Sequence, residues 1–230
     1  MSLEILDNEY IESGEGKPHG IKDNEQRGKI AVGAMVAFCV VAVIGVISDI
    51  MQYDFVHDFS IGNADFADGQ ANDQRQMLVG VLSLIAYLIN AVVFIMWLRR
   101  AYFNLHIHSP ESARFSEGWA AGAWFVPFLN FVRPVQIVND LWDGIQNKLN
   151  TRFVETKGLV AAWWTVWIIM SITSQVSFRS MNSATSLNDI FMACYLSFVH
   201  DAVMLLGAIL AIVVINKIRG FEARLEQEWS

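Results

Sequence analysis

Four long, nearly uncharged apolar runs dominate this sequence, and few architectures accept such segments. They lie at about residues 30–51, 77–98, 159–178 and 190–215. A helix needs about 20 apolar residues to cross a hydrocarbon core of roughly 30 Å, and each run reaches that length. Strands of a membrane barrel would be about 10 residues long and would alternate in polarity. These runs do neither. Hydrophobic residues make up 54% of the 230-residue chain, more than a soluble domain of this size would carry. The expected fold is all-α: a polytopic membrane protein with four transmembrane helices occupying residues 30–216.

The sixteen Lys and Arg residues sort around these runs. Lys17, Lys22, Arg27 and Lys29 precede the first. Arg99, Arg100, Arg114, Arg133, Lys148, Arg152 and Lys157 fill the long segment between the second and third. Lys217, Arg219 and Arg224 follow the fourth. Only Arg75 and Arg179 fall in the other two connections. Lys and Arg collect on the cytoplasmic side, so both termini and the long middle segment are expected there. The expected location is the cell (inner) membrane, with multiple passes. The first outward connection, 52–76, is acidic, and Gly62, Asn63, Gly69 and Asn72 read as its turn residues. Residues 1–29 are polar and aperiodic, which predicts a flexible tail. Residues 217–230 form a second tail, with Phe221, Leu225 and Trp229 four apart. The first run has no small-residue cleavage site and is expected to stay as an anchor. Cys39 and Cys194 sit inside apolar runs, which excludes a disulfide framework.

A fifth apolar stretch, Gly118 to Pro134, is short and interrupted by Pro127. A crossing here would carry Arg133, Lys148, Arg152 and Lys157 to the wrong side. A re-entrant or interfacial element spanning residues 118–150 is expected instead. Pro134 suits the first turn of a helix. Val138, Leu141, Trp142, Ile145 and Leu149 then recur on one helical face, with Gln136, Asp140, Asp143 and Asn147 elsewhere. That polar side is not basic, so docking within the protein is expected rather than binding to anionic lipid.

One ordered series is more specific than hydropathy. Trp97, Arg100 and Asn104 lead into Trp119. Trp124, Pro127 and Asn130 follow, then Arg133-Pro134, and the series ends at Trp142. It resembles the bacterial membrane family called domain of unknown function 4328, over roughly residues 80–215. Leu105-His106 and Val135 depart from the family pattern in loop detail. The resemblance implies a small multi-spanning bacterial membrane protein and no particular activity. Read physically, Trp97, Arg100 and Asn104 share a helix face that continues the second span. Arg100 is placed to reach headgroups or carbonyls freed by the prolines. Asn104 and Asn130 are placed to satisfy backbone groups of the broken segment.

The spans themselves carry polar residues, which are expensive in a bilayer. His200-Asp201 falls near the middle of the fourth. Asn90, Tyr87 and Ser171 on other spans are its expected neighbours, forming either an interhelical anchor or a proton or cation path. Gly33, Ala37 and Gly45, four or eight apart in the first span, suggest a close-packing face for another helix. His106, His108 and Glu111 are too few for a metal site. The sequence has no phosphate loop, zinc-protease motif, nucleophile elbow or cysteine pair. Its basic residues follow the membrane rather than forming a stripe for nucleic acid. The expectation is a non-enzymatic assembly, accessory or self-associating membrane component without cofactor or metal. Its expected partners are the lipid bilayer and either copies of itself or another membrane protein. The alternative is a small ion or proton channel or transporter centred on Asp201.

Overall fold

The computed structural model describes residues 17–149 and 154–229. Parts of both expected tails (residues 1–16 and 230) and the end of the 118–150 element (Asn150) lie outside the described residues. Helix accounts for 83% of the structure, and no strand occurs among the described residues, as the apolar runs require. Six α-helices follow in order: α1 (Glu25–Ser60), α2 (Phe66–His108), α3 (Trp119–Gly122), α4 (Arg133–Lys148), α5 (Gly158–Ser183) and α6 (Leu187–Glu228). Of these, α1, α2, α5 and α6 are long and apolar enough to cross a membrane. Each contains one of the four runs.

All four overrun the runs that seed them. α1 starts at Glu25, inside the stretch expected to be a tail, and α6 continues through the expected C-terminal tail to Glu228. The stretch expected as an outer loop is mostly helix. α1 continues to Ser60 and α2 begins at Phe66, so the connection is a tight turn. Gly62 takes a left-handed φ of 79°. The Asn63 N–H donates to Asp58 O (2.8 Å) and the Gly62 N–H to Phe59 O (3.2 Å), the paired closure that ends many helices. Asp65 then caps α2. Its Oδ1 accepts from the N–H groups of Ala67 (2.8 Å) and Asp68 (3.0 Å), and Asp68 Oδ2 accepts from the Asp65 N–H (3.0 Å). Gly62 and Asn63 are turn residues as expected, but Gly69 and Asn72 lie inside α2. The cost of a helix lies in its nucleus. Once an apolar span has nucleated one, polar residues extend it cheaply.

The chain forms two compact units. The span unit holds residues 27–97 and 157–216. Within it, α1 buries Ala31, Phe38, Ala42, Gly45 and Ser48. Phe38 and Ala42 meet Met204 and Ala208 of α6, with Ala86 of α2 and Met170 of α5 packed against them. Large apolar side chains point outward all around: Val40, Leu78, Leu84, Val92 and Ile172 are each more than half exposed. So much outward apolar surface marks a membrane protein. The expected small-residue face of α1 splits. Gly45 is buried in the bundle, whereas Gly33 and Ala37 are exposed. Steps of four residues drift around a helix with about 3.6 residues per turn, so Gly33 and Gly45 point roughly 120° apart.

The motif unit comprises the described parts of residues 1–26, 98–156 and 217–230. Its centre is α4, which buries Val138, Leu141, Trp142 and Ile145 of the face expected from periodicity, and Ile137 besides. The opposite side is also covered. Asp140 and Gln146 are 4% and 3% exposed, so the expected polar face is not fully solvated. Gly144 permits this closeness, because a Cβ there would come within 2.6 Å of Leu105 Cδ1. His106 and His108 lie in the last turns of α2 rather than in a loop.

Candidate functional site

Asp201 lies near the middle of the apolar run within α6, and α1 leaves room for it at Gly45. A Cβ on Gly45 would overlap the Asp201 carboxylate. Asp49 follows Gly45 by one helical turn and so shares its face. It lies within Coulombic reach of Asp201 and of Arg75. Its Oδ2 is buried and, among the described residues, accepts no hydrogen bond. Two carboxyl groups from separate helices therefore lie near each other inside an apolar bundle.

A line of polar groups leads away from them. Arg75 of α2 donates from Nε to Ser48 Oγ (3.2 Å), and from Nη2 to Ser48 O (3.3 Å) and Asn72 Oδ1 (2.6 Å). Ser48 Oγ donates to Gln76 Oε1 (3.3 Å), and Gln76 Nε2 donates to Ser48 O (3.2 Å). Asn72 Nδ2 donates to Gln52 Oε1 at 2.6 Å. Gln52 in turn lines an open, mainly apolar cleft of about 450 Å³ beside the α1–α2 turn, where Asp65, Gln70 and Asp73 stand among Phe55, Phe59, Phe66 and Ile190. Ser48 and Asn72 are 3% and 5% exposed, while Arg75, Gln76 and Gln52 are half-buried.

The residues expected around Asp201 have other engagements. His200 Nδ1 pairs with Thr173 Oγ1 of α5 at 3.2 Å. Asn90 and Ser171 each donate to a carbonyl one turn back on their own helix, Ala86 O and Trp167 O, both at 2.9 Å. The Tyr87 ring lies 6.5 Å from that of Phe38. Sequence reasoning missed Asp49, which lies near Asp201, and Arg75, which lies near Asp49. The available signal was an acid four residues from a glycine in an apolar run.

The family-motif residues are spread over both units. Trp97 is fully buried in the span unit, with its ring 5.5 Å from Phe94. Arg100, Trp124 and Asn130 are half-buried, Pro127 is exposed, and Pro134 is buried in the first turn of α4. The Arg133 guanidinium lies over two rings, 4.1 Å from Trp119 and 4.6 Å from Phe115. Asn104 pairs with both backbone polar groups of Lys22: Nδ2 donates to Lys22 O (2.8 Å), and the Lys22 N–H donates to Oδ1 (3.0 Å). It thus satisfies backbone groups of the N-terminal stretch rather than of the Pro127 segment. Trp142 meets Phe221 edge-on at 5.1 Å and donates from Nε1 to Glu155 O at 3.0 Å.

A buried polar knot holds the motif unit together. Asp140 accepts from Arg114 Nε (2.6 Å), the Arg114 N–H (3.2 Å) and the Tyr102 hydroxyl (3.0 Å). Burial pushes the Tyr102 hydroxyl far above its ordinary value, so it stays protonated and donates. The Tyr102 oxygen accepts from the Phe115 N–H at 3.1 Å. The two ring nitrogens of His106 face Tyr102 O (2.8 Å) and Phe115 O (2.9 Å). Both are committed to carbonyls and neither is offered to a metal. His108 pairs with Ser109 Oγ at 2.9 Å, and burial lowers its imidazole to about 4. This knot reads as structure, because Asp140, Tyr102 and His106 are matched within the protein, while the Arg114 side chain reaches solvent.

Comparison with known proteins adds one finding. The family model described as Domain of unknown function (DUF4328) matches residues 62–220. No curated protein and no solved structure matches the chain.

Proposed function

This chain belongs to the DUF4328 family, and on that footing we propose that it is a proton- or cation-conducting membrane protein whose working site is the Asp49–Asp201 pair. The observation that supports this most is that Asp201 fits against Gly45 with Asp49 close by, near a polar line that runs to an open cleft. Two carboxyls stand against one guanidinium, Arg75. In an apolar surrounding the unbalanced negative charge calls for a proton or a cation. Ser48, Gln76, Asn72 and Gln52, linked through Arg75, provide hydrogen-bonding groups between the neighbourhood of the pair and the cleft. Asp65 and Asp73 at the cleft would favour positive charge at its mouth. On the charge-sorting rule the cleft opens to the outside and both termini lie in the cytoplasm, with the chain in the inner membrane.

The test is proton flux into liposomes holding the full-length protein and a trapped pH-sensitive dye, driven by a potassium diffusion potential. Asp201→Asn should bring flux to the protein-free level while leaving the elution volume in detergent unchanged. Flux in the parent no higher than in empty liposomes would overturn the reading. It would return weight to an assembly or accessory role, which rests on the exposed Gly33 and Ala37 of α1.

A further inference from the structure

We propose that residues 119–132 form an aromatic wedge seated in the headgroup–acyl boundary of the bilayer, with Arg133 as the cation facing lipid phosphate. The depth follows from one ion pair. Arg99 comes directly after Leu98, the last residue of the second apolar run, and its Nε lies 3.5 Å from Glu117 Oε1. Glu117 is therefore held where that run ends, at the level of the membrane surface. The apolar stretch starts at the next residue.

From there the chain presents rings rather than burying them. Phe125 and Phe128 are 76% and 84% exposed, and Phe131 and Val132 about half. A patch of this kind bordering a bilayer has an obvious apolar phase to enter. Much of the backbone is suited to it as well. The N–H groups of Trp124, Phe125, Asn130, Phe131 and Val132 donate to Ala121, Gly122, Val126, Phe128 and Leu129 carbonyls within the segment. Pro127 has no N–H to satisfy. Local pairing of this sort is what an apolar medium demands. Phe128 adopts a φ of 65°, in the left-handed region that aromatic residues rarely occupy. The chain turns there, so the segment dips and returns. It is also too short to cross: even fully helical, its length would be about 21 Å at roughly 1.5 Å per residue.

Arg133 closes the wedge. Phe115 and Trp119 hold its guanidinium by their faces, and among the described residues it donates no hydrogen bond. Stacking leaves the in-plane N–H groups available, and these match phosphate oxygens in pairs.

Spin labels on the full-length protein in nanodiscs of phosphatidylcholine and phosphatidylglycerol test this. Cys39→Ala and Cys194→Ala supply the background, with Phe125→Cys, Phe128→Cys and, as a water-side reference, Asn147→Cys. The expected result is collision mainly with oxygen at 125 and 128, and mainly with a water-soluble nickel complex at 147. Phe125 reports independently should Phe128→Cys not fold. Nickel-dominated collision at 125 overturns the proposal. So does protection from both probes, which would mean that protein covers the wedge. Adding Arg133→Gln should shift the label at 125 towards nickel; an unchanged ratio removes Arg133 from the proposal.

Discussion

Replacing Gly144 with alanine should destabilise this protein, although alanine is the better helix former. Gly144 lies within α4. A Cβ there would sit 2.6 Å from Leu105 Cδ1 and 2.8 Å from Ser112 Cβ. Leu105 is fully buried, so its methyl has little room to turn. Ser112 Cβ is attached directly to the backbone of the short 3-10 turn Pro110–Ser112. Overpacking of this kind costs about 1–3 kcal/mol. The gain in helix propensity returns up to about 1 kcal/mol. The net expectation is a loss of about 1 kcal/mol. Gly220, in the part of α6 that belongs to the same unit, supplies the control, since a Cβ there would meet nothing within 4 Å. Gly220→Ala should gain up to about 1 kcal/mol. Two chemically identical changes should thus differ by about 2 kcal/mol, roughly 30-fold in the folding equilibrium. Thermal unfolding of the full-length protein in detergent, followed by tryptophan fluorescence, reads the difference. For a chain of this size about 2–4 °C accompanies each kcal/mol, so the two Tm values should separate by about 4–8 °C. Ser112→Gly should restore part of the loss in the Gly144→Ala background. Equal shifts of the same sign for both glycines would refute the close-approach argument.

Asp140→Ala should cost about 2 kcal/mol. It strands the Tyr102 hydroxyl and unpairs Arg114, but Arg114 is half exposed and can rehydrate, so the full penalty of a broken buried pair does not apply. A loss below about 0.5 kcal/mol in the same melts would show that the knot is dispensable. pH should act on the motif unit in two opposed ways. His108, lowered by burial to about 4 from 6.5, takes up a proton more readily when unfolded. Its contribution is complete above pH 6.5 and is lost as pH falls towards 4. Glu222, pushed by burial up to about 7 from 4.5, binds its proton more tightly when folded, so stability declines as pH rises through that window. His108→Asn should remove the acid-side loss, and Glu222→Gln should remove the decline towards pH 7. A variant that keeps the parent's full slope contradicts its assignment.

Much of this architecture could be read before any coordinates. Each of the four spans lies within the helix expected for it, because about 20 apolar residues admit few other fates. The buried face of α4 followed from residues recurring at helical spacing. What escaped were the places where local signals compete with cooperativity or with distant contacts. Gly69 and Asn72 resemble turn residues, yet a cap at Asp65 and an apolar span beyond them carry the helix through. Asp140 looks solvent-facing until Arg114 and Tyr102, 26 and 38 residues away, close over it.

The polar site divides in the same way. That Asp201 needs a partner follows from its position in an apolar run, since the charge is too costly to leave alone there. Which partner it finds depends on how the helices are rotated and how closely they approach, and neither is encoded in the periodicity of one segment. The sequence alone determined that the chain is a helical membrane protein, because hydrophobic length is a property of contiguous residues. Only the tertiary structure decided that Gly45 yields its space to Asp201, that Asp49 lies within reach of both Asp201 and Arg75, and that Asn90 and Ser171 bond to carbonyls of their own helices. Those outcomes rest on side chains from different helices competing for the same volume, and that competition exists only once the helices are packed.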